Sequence, residues 1–195
     1  VNLGYMKNKI IMVGLASGLV LGALGYTHCS IEEVGVLRSI PNITIVSPAD
    51  ALEVVKALIA SLNYKESVYI RLTGGAPIKP LYKEDYKFEI GKAIKLQNGN
   101  DVAIFSSGAS VYHSLEASRI LKEKGISCSV VNFHTIKPID QQMIFNEIKK
   151  KRLIITVEEH NVIGGLGSAV SEVISKLPNT PKTVMMGIED NYGSG

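Results

Sequence analysis

Residues 102–133 read VAIFSSGASVYHSLEASRILKEKGISCSVVNF. Val102-Ala-Ile-Phe105 is a short apolar run, of strand length and too short for a helix. A Ser-Ser-Gly turn follows, then an amphipathic segment from about Ser110 to Lys124 that stops at Gly125, and a second apolar run from Cys128 to Phe133. Two strands with a helix between them need a crossover connection rather than a hairpin, so they lie parallel with the helix packed across a sheet face.

The alternation continues in both directions. Towards the N-terminus, Ile10 to Leu15 reads as a buried strand leading into a glycine-rich loop. Ile31 to Ser39 has helical periodicity, with Ser30 as its N-cap and Pro41-Asn42 as its stop. Ile43 to Val46 is a strand. Ser47-Pro48-Ala49-Asp50 then offers a cap residue, a proline at the first helical position and an acid at the third. The helix it opens, to about Leu62, places Leu52, Val55, Ile59 and Leu62 on one face. Val68 to Leu72 is a strand ending at Gly74-Gly75. Towards the C-terminus come a helix from about Asp140 to Lys150, a strand Leu153–Val157, a Gly164-Gly-Leu-Gly167 turn, a helix Ser168–Lys176 and a strand Val184–Ile188. The fold class is α/β: three layers, with mostly parallel sheets flanked by helices. Between Gly74 and Tyr86 lie glycines, prolines and mixed charge without periodicity, which reads as a linker. The expected organisation is one domain over 1–73, a linker over 74–87 and a second domain over 88–195.

Composition excludes several classes. At 195 residues, with one domain per roughly 150, one to two domains fit; 46% hydrophobic and 20% charged residues are a globular balance rather than a disordered one. Lys+Arg 21 against Asp+Glu 18 leaves a net charge of +3 with both signs mixed along the chain, so no nucleic acid is expected as partner. The basic run Lys149–Arg152 is assigned to the end of a helix, where it neutralises the terminal carbonyls. Cys29 and Cys128 form neither a disulfide framework nor a metal-ligand spacing, which fits a reducing, cytoplasmic compartment. Ile10 to Gly25 is uncharged, with Gly14, Gly18 and Gly22 four apart in the pattern of packed membrane helices. Its 16 residues fall short of the ~20 that cross a bilayer, so it is read as strand and loop, not as a membrane segment. Val1 and the final Tyr-Gly-Ser-Gly run do not resemble natural domain edges, and the sequence is expected to be part of something larger.

In open α/β sheets ligands bind beyond the carboxyl ends of strands. Four polar groups stand there: Thr27-His28, Arg71, His134-Thr135, and Glu158-Glu159-His160-Asn161 before the glycine turn. That turn begins like a dinucleotide-binding loop, but Val170 occupies the third small-residue position and no acid ends the next strand, so a tight strand-to-helix turn is the reading. Adjacent Glu158 and Glu159 point to opposite faces of a strand and make a poor acid/base pair. His134 and His160 read as hydrogen-bonded structural histidines, and His113 as partly exposed surface. No zinc or Ser-His-Asp spacing occurs, and no metal ligand is assigned. His28 and Arg71 remain as the candidate site.

Taken together, Gly25-Tyr-Thr-His28 with Ser30-Ile-Glu-Glu33, Leu37-Arg-Ser-Ile-Pro-Asn42, Val46-Ser-Pro-Ala-Asp50, Val68-Tyr-Ile-Arg71, Phe88-Glu-Ile-Gly-Lys-Ala93, Thr135-Ile-Lys-Pro-Ile-Asp140 and Val157-Glu-Glu-His-Asn-Val-Ile-Gly-Gly-Leu-Gly-Ser168 resemble, in order, the C-terminal section of transketolase. The resemblance implies the second half of a pyrimidine-binding domain up to about Leu72 and a transketolase C-terminal domain from about Phe88. It implies thiamine diphosphate and Mg2+ as cofactors, the metal held by a part not in this chain, and transfer of a two-carbon ketol unit from a ketose to an aldose. His28 matches the family histidine beside the reacting hydroxyls, and Arg71 the arginine that grips a sugar phosphate. No cofactor-binding residue is assigned. The expected partners are a small sugar and either a second copy of the chain or an N-terminal transketolase subunit. Two departures stand out: Leu24 replaces the family's acid and Ala16 an upstream histidine. They keep a non-catalytic assembly subunit open as the alternative, alongside deoxyxylulose-phosphate synthase and the β subunit of a 2-oxoacid dehydrogenase.

Overall fold

The structure, a computed structural model, describes residues 2–74, 79–82 and 84–192; of the expected linker, 75–78 and 83 lie outside the described residues. In chain order the elements are α1 (Asn2–Met6), β1 (Ile11–Gly14), α2 (Glu33–Arg38), β2 (Ile43–Val46), α3 (Ala51–Asn63), β3 (Ser67–Arg71), β4 (Ile94–Gln97), β5 (Val102–Ser106), α4 (Ser110–Glu123), β6 (Cys128–Asn132), β7 (Thr135–Lys137), α5 (Gln141–Glu147), β8 (Leu153–Asn161), α6 (Leu166–Ile174) and β9 (Lys182–Ile188), with short 3-10 turns at 22–24 and 26–28. They build two mixed, mostly parallel sheets flanked by helices. The first has the order β1-β3-β2-β7, parallel except for β7. The second has the order β4-β6-β5-β8-β9, parallel except for β4.

The antiparallel β7 belongs to the C-terminal half of the chain yet pairs with β2, Ile45 facing Lys137 and Val46 facing Thr135. The core follows the same interleaving. Phe105 and Phe133 meet edge to face among Ile144, Ile154 and Leu166 under the second sheet. Val46, Ala57, Val68 and Ile70 pack under the first. Between them, Val34 and Ile45 are closed by Ile136 and Ala169 from the other half of the chain.

Several expectations need correction. The Ile10–Leu15 strand forms as β1 but lies at the edge of its sheet and is only half-buried, with Val13 exposed. Ser30 does not cap α2, because its backbone is engaged in a bridge with Gly18. Ser47 does not open α3; its N–H donates to the His134 carbonyl, and Asp50 is the cap, accepting from the Glu53 N–H at 2.8 Å. The face of Leu52, Val55, Ile59 and Leu62 points outward, and α3 meets the sheet through Glu53, Ala57 and Ser61. α5 ends at Glu147 with no basic residue in its last turn, so Lys149–Arg152 follow the helix instead of capping it; Arg152 pairs with Asp101 and Lys151 donates to the Gly99 carbonyl. β8 runs on to Asn161 and takes in the whole polar Glu158–Asn161 group.

Glu53 ties these parts together. Fully buried on α3, its carboxylate accepts from Ala49 N (2.7 Å), Tyr82 Oη (2.8 Å), Tyr86 Oη (3.1 Å) and Asn132 Nδ2 (3.0 Å). Tyr82 and Tyr86, within the linker, stack at 3.9 Å, and Asn132 ends β6, so one carboxylate joins a helix, the connecting segment and the second sheet. Burial pushes its pKa above the usual carboxylate range, and the four donors pull the other way. Glu53→Ala strands buried phenols and an amide and is expected to cost about 3 kcal/mol or more, against about 1 kcal/mol for loss of the α3 cap in Asp50→Ala. Urea denaturation of both variants checks the order; equal losses would remove Glu53 from its joining role.

Candidate functional site

The two halves of the chain meet where β3 and β8 end, and charged side chains converge there. Arg71, the last residue of β3, is 4% exposed. Its Nε donates to Glu33 Oε1 at 2.5 Å, and its Nη2 donates to the carbonyls of Glu159 (2.9 Å) and Ser30 (3.3 Å). Glu33 opens α2, where an acid complements the helix dipole. Its other oxygen, Oε2, is buried without a hydrogen bond and lies 3.9 Å from His160 Nε2.

The Glu158–Asn161 stretch alternates across β8, as a strand must. On the buried face, Glu158 accepts from the N–H groups of Leu166 (2.6 Å) and Gly167 (2.8 Å) at the start of α6. A Cβ at Gly165 would overlap Glu158 Oε2, so the glycine turn is shaped around this internal carboxyl group, which already occupies the helix start. His160, also buried, donates from Nδ1 to the Asn161 carbonyl (2.7 Å) and accepts at Nε2 from Val34 N–H (3.2 Å), capping α2 as a neutral ring. Burial lowers its pKa, in keeping with that tautomer. On the other face, Glu159 Oε1 accepts from Leu19 N–H at 2.9 Å. Gly18 beside it has φ +77, and a Cβ there would come within 2.6 Å of Glu159 Cδ, so glycine is required on both counts.

His28 stands on the loop after β1, in the 3-10 turn at 26–28, with Nδ1 3.0 Å from Thr27 Oγ1 and the ring open to solvent. It lies two residues before Ser30, whose carbonyl takes an Arg71 bond, so one loop borders both candidate residues; no hydrogen bond or ion pair joins them directly. Leu24 in the same loop is exposed, and Ala16 adopts φ 58. His134 lies apart from this group. It is buried, stacks on Phe88 at 4.2 Å and bonds Thr135 Oγ1 through Nδ1, and burial lowers its pKa to about 4. His113 is on the exposed side of α4. Sequence reasoning places Glu33 in a family-matching stretch but gives it no role, and does not single out Glu53 or Asn132; the Asp50-x-x-Glu53 spacing of a capping box is the signal that points to Glu53.

Among the described residues no group of three or more His, Cys, Asp or Glu could hold a metal ion. Beyond β1, Leu15 is exposed and Ser17 Oγ is buried without a hydrogen-bond partner. Two cavities of about 490 Å³ open elsewhere, one lined by Phe145, Lys149 and Pro181, the other by Tyr5 and Pro41. Among the described residues no helix is long and apolar enough to cross a membrane.

Burial pushes the Glu158 carboxyl up to about 7 from an ordinary 4.5. The folded state therefore holds this proton more tightly than the unfolded chain, so its stabilising contribution is complete below about 4.5 and is lost as the pH rises through about 7. His134 and His160 act oppositely, their contributions being lost as the pH falls below 6.5. The stability gap between the chain and Glu158→Gln is expected to change by about 3 kcal/mol between pH 4 and 8. Paired denaturation curves at the two pH values measure it; a constant gap would mean that Glu158 does not titrate there.

Comparison with known proteins gives the arrangement its context. Residues 2–76 match the transketolase pyrimidine binding domain, and residues 91–193 match the transketolase C-terminal domain. The chain is 40% identical over 179 residues to a subunit of the apulose-4-phosphate transketolase of Phocaeicola vulgatus, covering 91% of this chain and 57% of that protein. It is 37% identical over 191 residues to a putative transketolase C-terminal section of Methanocaldococcus jannaschii, covering 97% and 59%. A solved structure described as a split gene transketolase, inactive beta4 tetramer, superposes with a TM-score of 0.87 at 33% identity, over 95% of this chain and 59% of that one. The chain thus spans a little over half the length of these relatives. With both domains matched in order and the fold superposed, the chain belongs to the transketolase family, as its pyrimidine-binding and C-terminal domains.

Proposed function

We propose that the chain is the C-terminal part of a thiamine-diphosphate-dependent transketolase of the split type, acting in the cytoplasm. It would move a two-carbon ketol unit from a ketose to an aldose only together with the part that binds the diphosphate and Mg2+. The observation that carries this reading is the solvent-facing His28 imidazole on the loop beyond β1, at the carboxyl end of a parallel sheet where ligands of such folds collect. Thiamine diphosphate, held in part by residues outside this chain, would supply the electron sink for cleavage of the ketose C–C bond. His28 hydrogen-bonds the sugar hydroxyls and exchanges protons with them, its ring held by Thr27 Oγ1. Arg71 takes the anionic end of the sugar by exchanging its bond to Glu33 Oε1, and the Phocaeicola vulgatus relative, named for a sugar phosphate, supports a substrate of that class. The assembly contains more than one polypeptide, either copies of this chain or an N-terminal transketolase subunit. The same relative, itself named as one subunit of its enzyme, and the tetrameric neighbour support this.

A second reading, a non-catalytic assembly subunit, is favoured by Leu24, by Ala16 and by the near-complete burial of Arg71 against Glu33. Ketol transfer by the reconstituted assembly separates the two. In the first reading His28→Ala lowers kcat by about 100-fold or more while the melting temperature stays unchanged, because the ring is exposed. An unchanged kcat removes His28 from the reaction. Cofactor binding without turnover on any ketose donor selects the second reading.

A further inference from the structure

The loop that carries His28 is closed at its base and loosely held beyond it. Gly18 and Ser30 pair in an antiparallel bridge, Gly18 N–H donating to the Ser30 carbonyl at 2.7 Å and Ser30 N–H to the Gly18 carbonyl at 3.2 Å, so residues 19–29 form a compact surface loop whose ends meet. Below the bridge the chain is tied to the first sheet, Ser17 N–H donating to the Leu72 carbonyl at 3.0 Å. Inside the loop the two 3-10 turns are held by local bonds, among them Gly22 N–H to the Leu19 carbonyl and His28 N–H to the Gly25 carbonyl. Among the described residues, a single hydrogen bond runs from residues 19–29 to the rest of the molecule: Leu19 N–H donates to Glu159 Oε1 at 2.9 Å. Tyr26 adds a tilted ring contact with Tyr192 at 5.6 Å, but both rings are mostly exposed.

The backbone of β8 presents Glu159 for this grip. The register of β8 with β9 shifts between Val157 and Asn161, and there the Glu159 carbonyl accepts from Arg71 Nη2 while the Asn161 N–H donates to the Ile31 carbonyl at 2.7 Å. Arg71 Nη2 also reaches the Ser30 carbonyl, so the exit of the loop is held by main chain and Arg71, and its entrance by the Glu159 side chain. Leu19 is fixed by its N–H while its carbonyl starts the first 3-10 turn, so the placing of Leu19 sets where both turns stand, His28 lying in the second. We propose that Glu159 is a positioning residue for the reaction: its carboxylate, from the C-terminal half of the chain, fixes the loop entrance and so holds the His28 ring in place for the sugar; the proposal rests on the reading of His28 given above. A group displaced by about 1 Å loses about 100-fold in rate, so one bond at the loop entrance is enough to be read in turnover. The C-terminal half thereby acts on the reaction as well as packing against the first sheet.

Glu159→Ala and Glu159→Gln, compared in the full chain and in the reconstituted assembly, test it. Both keep the Glu159 backbone carbonyl and its bond to Arg71; only glutamine offers an oxygen to the Leu19 N–H. Glu159→Ala is expected to lower kcat by about 10-fold or more. It is also expected to speed chymotryptic cleavage after the exposed Tyr26, identified by fragment mass, by about 10-fold. Glu159→Gln restores both, a rescue that general loss of structure would not show, and circular dichroism checks that the fold is kept. Cleavage no faster in Glu159→Ala than in the wild type overturns the proposal. So does an unchanged kcat in Glu159→Ala when His28→Ala lowers it. Faster cleavage with kcat unchanged in both Glu159→Ala and His28→Ala overturns the reading of His28, and with it any part of Glu159 in the reaction.

Discussion

A single carboxylate buried at the start of α3 sets the relation between the two halves of the chain. Glu53 brings a charge-bearing group into a region where an ionised oxygen without partners would be prohibitively unfavourable. Its four donors come from the turn before its own helix, from the connecting segment and from the end of β6. Each donor satisfies the carboxylate only if its own element is in place, so the arrangement is all-or-none and far more specific than apolar contact. The interleaved strand β7 and the mixed cluster of Val34, Ile45, Ile136 and Ala169 add dispersion and burial to a relation that the polar node has already fixed in register.

The junction between the halves relies on one recurring device, an internal acceptor at a helix start. Asp50 serves α3, His160 serves α2 from across the junction, and Glu158 serves α6. In the last two cases the acceptor sits on β8, so the strand that extends past the sheet holds two helices of different halves by their N–H groups. The glycines nearby follow from this. Gly165 leaves room for Glu158, Gly18 for Glu159, and a Cβ on Gly164 would come within 2.7 Å of the Gly35 Cα.

The α/β alternation is legible in the sequence because most strands carry short apolar runs and because α2 and α4 stop at Pro41 and Gly125. The strands and helices after residue 100 accordingly lie where the pattern puts them, shifted only at their ends, except β7, whose three residues Thr135–Lys137 are too few to show a period. What stays hidden depends on tertiary contact. An amphipathic pattern gives the apolar side of α3 but not the direction it faces, and here the small and polar side faces inward because Glu53 is needed there. A glycine-rich turn before a helix signals that an acceptor fits; that the acceptor is the protein's own Glu158 depends on a strand continuing through four polar residues, against their propensity. For the candidate site, His28 and Arg71 are legible as residues, whereas Glu33 as the partner of Arg71 is not, since the two are 38 positions apart and meet only when β3 and α2 pack.

The placement of β7 also bears on how the chain comes to be folded. β2 lies between β3 and β7, and β7 is made of residues 135–137, far downstream of the other three strands of its sheet. As a chain lengthens from its N-terminus, β1, β3 and β2 are available early, but the outer edge of β2 stays open until most of the second sheet has been made. The first half is therefore not an autonomous folding unit that waits for a neighbour; its sheet is completed by that neighbour, through contacts of long sequence separation that form late.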